Sequence, residues 1–314
     1  METNFVPVPI SHLLRHPTYF EFVEVHVKIA EKYVRLNFAE EPFNDILTKL
    51  LKKNVVHVYL SEEDFEQVLA KFQQLINEDQ NAHGTSDELR ASQAETAIAL
   101  SRDFIKRYGV NQQVLNVVKE SNQNIQTILS NSPGLFAFVK KFKENCSEEF
   151  LKVSVTNFLC ANVIATFPWQ TPQIIEKTML AGLFCDLSLE VHDFDEIKAL
   201  ESGEGQLSDR VKRHPLSAMD ILSLKRDLIP QETLTIIEQH HERPDGKGFP
   251  YGITVTRFNQ LSAIFIVCQR FTDELFESEF DYTKHHATVE KLRTIYEGGV
   301  FTKAMDALIA VVEK

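Results

Sequence analysis

The chain has 314 residues, of which 43% are hydrophobic and 25% charged, and a formal net charge of −12 at pH 7. That is enough chain for two domains of ordinary globular composition. The negative balance excludes broad binding to DNA or RNA, which needs a basic surface. A small anionic ligand is compatible with it only where a metal or a few placed arginines supply local positive charge. No apolar run approaches the ~20 residues that span a bilayer. The opening METNFVPVPI lacks the basic start and apolar stretch of a secretory signal, so a cytoplasmic, membrane-free protein is expected. Cys146, Cys160, Cys185 and Cys268 show no paired spacing. Each reads as a small buried residue rather than part of a disulfide framework or zinc ribbon.

Residues 1–60 read as a small α+β module of sensory or adaptor type. Phe22–Ile29, Tyr33–Leu36 and Val55–Leu60 have strand texture, and Pro42–Lys52 looks helical. Residues 61–130 read as a helical linker region. Ser61 is its first N-cap, with acids in the following turn and Phe65, Val68, Leu69 and Phe72 at helical spacing. Asn77–Ser86 is the most linker-like stretch, and a long polar helix is expected from Asp87 to about Arg107. Ser130–Gly134 is the next break. The remainder, 131–314, is periodic helix almost throughout, so the expected fold is mainly α: a C-terminal helical bundle preceded by the α+β module and linker helices.

Four pieces of the bundle carry candidate chemistry. A helix runs from Ser147 to about Ala165. A second opens on Thr171 as N-cap with Pro172 at its first position, and delivers Cys185-Asp186 at its C-terminal end. An acid there opposes the helix dipole, so Asp186 is a candidate to hold a cation. Pro215 starts a third helix with His214 at its entrance. The fourth follows Pro230 and ends on His240-His241, before HHERPDGKGFP turns through Asp245, Gly246 and Gly248. His240 lies about 100° around the helix from His241, so both rings reach one ion only off the helix end. Singly, each of these residues has an ordinary explanation, and His285-His286 and His192-Asp193 read as chance or solvated pairs. Together they offer one carboxylate and three imidazoles, a set suited to iron, manganese or zinc.

These residues carry a resemblance. HHERPDGKGFP is similar to the HHE-x-x-DG-x-GYP signature of the HD-GYP family of HD phosphohydrolases. GLFCDLSL (182–189), RHPLSAMDIL (213–222), SAIFIVCQRFTDEL (262–275) and the Gly298-Gly299-Val300-Phe301 pattern resemble the family's other motifs at matching spacing. The resemblance covers about the last 180 residues. It implies a helical HD-type bundle, two or three transition metal ions (iron or manganese foremost) and hydrolysis of cyclic di-GMP. Cyclic di-GMP or a related anionic nucleotide is the implied ligand, and a signalling protein such as a GGDEF-domain protein an implied partner.

It also implies site residues. Asp186, His214, His240 and His241 match the ligands of one ion, with Asp186 the catalytic choice; Asp245, Gly246, Gly248, Phe249 and Pro250 match the signature turn. The sequence departs from the pattern at the other ion. The HD histidine is Cys185, the downstream metal aspartate falls at Gln269, and an earlier metal histidine falls near Val153, one helical turn after Glu149. Glu149, Cys185 and Gln269 are the residues left to rebuild that second position. The family's phosphate-binding basic segment falls on Ser278-Glu279-Phe280-Asp281, which leaves Arg213, beside His214, as the phosphate contact of choice. The expectation is therefore a phosphodiesterase of weakened activity, or a degenerate module that senses nucleotide or binds protein.

Overall fold

The structure is a computed structural model that describes residues 4–36, 41–79, 86–190, 193–194, 196–197, 207–224 and 227–313. It is mainly α with one small antiparallel sheet, and it divides into two compact units. One comprises residues 1–104 and 112–124, the other 105–111 and 125–314. The helices expected within 61–130 are shared between them.

In the first unit the sheet holds β1 (Phe5–Pro9), β2 (His26–Ile29), β3 (Lys32–Arg35) and β4 (His57–Ser61), in the order β1-β4-β2-β3. Val6 lies opposite Leu60 and Val8 opposite Val58, and all four are fully buried. This period-two alternation gives the sheet one apolar face. Onto it pack α1 (Ile10–Arg15), through Ile10 and Leu13, and α3 (Glu62–Asp79), through Phe65, Val68, Leu69 and Phe72. The remaining short helix of this region is α2 (Phe43–Lys52). Three strands and α2 were expected. Strand β1 was not, because Pro7 and Pro9 argue against a strand; it is an edge strand, where proline is tolerated. The strand expected over Phe22–Ile29 begins only at His26.

Helix α4 (Asp87–Tyr108) is polar in sequence yet buries Ser92, Gln93, Glu95, Thr96 and Ser101. Arg15 ion-pairs with Glu95 at 2.7 Å, and Gln93 donates to the Tyr19 hydroxyl at 2.5 Å. A buried polar group is tolerated when it is paired, and these partners are some 75 to 80 residues away in sequence. Helix α5 (Gln112–Asn131) follows.

The second unit is a bundle of α6 (Leu135–Phe142), α7 (Glu148–Ala165), α8 (Pro172–Phe184), α9 (Asp209–Lys212), α10 (His214–Ser223), α11 (Gln231–Gln239), α12 (Gln260–Glu277), α13 (His285–Ile295) and α14 (Gly299–Val312). Its starts are written locally. Ser147 accepts from the Phe150 amide, and Thr171 from the Ile174 amide with Pro172 just inside. Helix α12 is the centre, packed against α7, α14, α13 and α11, while α8 joins α7 to α11. Phe184, Ala181, Ile236, Ile237, Phe265 and Ile264 fill the space between them. Burial of an aromatic such as Phe184 contributes about 2–3 kcal/mol. That packing fixes the ends of α8 and α11, which carry Asp186 and the paired histidines.

Candidate metal centre

Four side chains converge where α8, α10 and α11 end or begin. Asp186, His214, His240 and His241 each offer a ligand atom, all within 4.8 Å of one another. Helix α11 stops at Gln239, and His240 and His241 follow off its end with ring centroids 4.1 Å apart. That exit brings two adjacent rings to one point, which an unbroken helix would hold about 100° apart. His214 enters from the first residue of α10, its ring 5.1 Å from that of His240.

The hydrogen positions follow from the partners. Nδ1 of His214 donates to the Val211 carbonyl and Nδ1 of His240 to the Ile237 carbonyl, both at 2.6 Å. Each Nε2 is therefore a bare lone pair. These two atoms lie 3.1 Å apart, and 3.2 and 3.5 Å from Oδ1 of Asp186. Three acceptors facing one another repel unless a cation sits among them. Burial works to raise the Asp186 carboxyl, while His214 and His240, whenever protonated, donate to it and hold it well below the usual carboxylate range. Burial also lowers His240, and lowers His241 further with help from the neighbouring rings and Arg270. Neutral imidazoles and an ionised carboxylate are the forms that ligate metal. Nε2 of His241 is buried with no hydrogen-bond partner, a further mark of a missing group. The donor set fits one borderline transition metal ion.

Among the described residues, those expected to rebuild a second position do not form a second ligand cluster. Among the described residues, Glu149 is exposed in the first turn of α7 and does not join the cluster. The Cys185 thiol is turned to the Gly182 carbonyl at 3.7 Å and to Oδ2 of Asp186 at 3.6 Å, and is likewise outside the ligand cluster. Gln269 alone offers a buried oxygen without a partner, and it is neutral. The next residue, Arg270, places a guanidinium nitrogen 3.0 Å from Nδ1 of His241. A fixed positive charge there disfavours another cation.

The two arginines near the cluster stand differently. Arg213 is exposed at the junction of α9 and α10, because successive helical residues diverge and His214 takes the inward direction. Arg270 is the arginine in the cluster. Glu279 and Asp281 belong to the turn after α12, where Asp281 caps Thr283 and Phe280 packs on Phe136 and Phe276. Asp193 is not a solvated loop residue; it is buried, paired with Arg210, and accepts from the Glu190 amide at 2.7 Å. His192 lies outside the described residues. His285 is not a bystander either: it lines a cavity of about 200 Å³ with Leu135, Phe158, Phe271 and Phe280.

The signature turn is tied down from within. Glu242 is fully buried and accepts from the amides of Tyr251 at 2.6 Å and Ile253 at 3.0 Å. Asp245 accepts from Arg243 and from the Lys247 amide. Gly246 takes φ +75°, and a Cβ on Gly248 would lie 2.3 Å from the Arg243 nitrogen, so both positions require glycine. Pro250 ends the motif. Asp245 and Lys247 face outward, but Phe249 turns in and stacks on His241 at 4.5 Å with an interplanar angle of 19°. The ring covers the histidine.

No protein-family model matches the chain, and neither does any curated protein sequence. Among solved structures, an HDG"Y"P protein from Bdellovibrio bacteriovorus is similar with a TM-score of 0.58, over 99% of this chain and 100% of that one, at 16% sequence identity. No helix among the described residues is long and apolar enough to cross a membrane. At that identity the likeness speaks for the fold alone: this chain has the fold of an HD-GYP protein, and its Asp–His cluster could hold a metal ion.

Proposed function

We propose that this chain is a single-ion phosphodiesterase-type module of cyclic di-GMP signalling, with weakened hydrolysis. The observation that carries the reading is the buried cluster of Asp186, His214, His240 and His241, in which the facing acceptors of Asp186, His214 and His240 call for a cation. The nucleotide comes from the resemblance of HHERPDGKGFP and its companion motifs to the HD-GYP pattern. A bound ion supplies Lewis acidity toward a phosphoryl oxygen and its water ligand. The protein's own part is to hold that centre. Asp186 keeps its charge, His214 and His240 are locked by main-chain carbonyls, and Phe249 screens one face of His241 from water. Loss of the second donor set removes charge stabilisation from the transition state, which costs orders of magnitude in rate.

The test is conversion of cyclic di-GMP with saturating manganese or iron(II), in the parent and in Asp186→Ala. Slow conversion that vanishes in the variant supports the reading. Rapid turnover at two ions per chain contradicts it. The incomplete second position favours one other reading, a nucleotide-sensing or protein-binding module; tight nucleotide binding with no conversion selects that one.

A further inference from the structure

The three imidazoles of the cluster are held in two different ways. His214 and His240 give their Nδ1 hydrogens to carbonyls, the arrangement that leaves Nε2 free to ligate. His241 has the reverse. Its Nδ1 lies 3.0 Å from Nη2 of Arg270, and a guanidinium has only hydrogens to give. Nδ1 of His241 is therefore the acceptor, and the ring's own hydrogen sits on Nε2. That nitrogen is buried without a partner, on a ring 4.1 Å from His240 and 4.9 Å from His214. The residue is only 7% exposed. Arg270 is itself braced. Its other nitrogen pairs with Asp273 at 3.4 Å, and it hydrogen-bonds the buried Tyr296. The contact to His241 is thus part of a network rather than a chance rotamer.

We infer that Arg270 withholds His241 from the ion and makes it a hydrogen-bond donor, so that Asp186, His214 and His240 hold the ion while the Nε2–H of His241 receives an oxygen of a phosphate-class anion. This rests on the single-ion reading above. The chemistry suits an oxyanion: a cation and an N–H side by side in a buried site bind a charged oxygen more strongly than a neutral one. Stacked Phe249 fixes the plane of the donor ring. Arg270 is a positioning residue here, acting through His241.

Two measurements on the full chain test this. The first uses metal-free protein with ¹⁵N-labelled histidine, with the His241 ring assigned by its loss in His241→Gln. The expected tautomer is Nε2–H in the parent and in Arg270→Lys, with Nδ1–H gaining in Arg270→Gln, whose amide oxygen accepts. An Nδ1–H tautomer in the parent overturns the inference and leaves the single-ion reading standing. The second titrates manganese, then inorganic phosphate, by calorimetry. His241→Gln is expected to keep the ion and lose phosphate, whereas His240→Gln loses the ion. Arg270→Gln is expected to bind the ion about tenfold more tightly, since it restores the usual acceptor behind a ligating ring. A merely structural arginine would not produce a gain. Equal loss of ion in His241→Gln and His240→Gln refutes the inference, and a parent that takes no ion refutes both readings.

Discussion

Replacing Glu242 by alanine isolates what holds the signature turn to the helix that presents the histidines. The carboxylate is fully buried and accepts two main-chain amides, Tyr251 at 2.6 Å and Ile253 at 3.0 Å. A hydrogen bond to a charged group contributes about 1.5–3 kcal/mol, so losing both costs roughly 3–6 kcal/mol, including the penalty for leaving the amides buried and unpaired. Glu242→Gln keeps one acceptor and sets its NH₂ against the other amide, so about half that loss is expected. The assay is urea unfolding followed by fluorescence of Trp169, the single tryptophan, which stacks on Phe167 in the same unit. Glu242 stands two residues after the ligating His240, so manganese affinity falls in Glu242→Ala even at urea concentrations where the chain stays folded. A loss of less than about 1 kcal/mol, with m unchanged, would refute the claim that this carboxylate anchors the turn.

Gly248→Ala forces a Cβ against the Arg243 nitrogen and Glu242 Cα, backbone atoms that no rotamer change moves aside; a loss of about 1–3 kcal/mol in the same urea assay is expected. In the first unit, burial holds His16 down to about 4 from its ordinary 6.5. The neutral ring is favoured in the fold, so its contribution is complete above about pH 6.5 and is lost as pH falls toward 4, an effect of about 3 kcal/mol. Amide exchange of α4, where Ser92 meets this ring at 3.3 Å, should accelerate over that window and do so less in His16→Gln. Burial likewise keeps His240 and His241 neutral, so metal-free protein should lose further stability on acidification below about pH 6.5. Bound manganese should oppose that loss in the parent and have no effect in His214→Ala, as thermal unfolding with and without the ion will show.

Local chemistry made much of the bundle legible. Ser147, Thr171-Pro172 and Pro230 announce their helices, and the adjacent histidines before a glycine turn announce a site off a helix end. What stayed hidden depends on partners far away in sequence. Helix α4 looks polar because its buried glutamate and glutamine meet Arg15 and Tyr19 across the chain. Strand β1 is masked by two prolines that only an edge position tolerates. Arg213, the neighbour of His214, is exposed, since successive helical residues diverge. Arg270, distant in sequence from His241, is the arginine that touches the cluster.

The central claim is that the cluster holds one ion, and elemental analysis of the purified, desalted chain measures it directly. Parent protein loaded with manganese or iron(II) should retain one equivalent per chain, and Asp186→Ala and His240→Ala should retain none. Two equivalents in the parent, or the same metal content in parent and variants, would contradict the account.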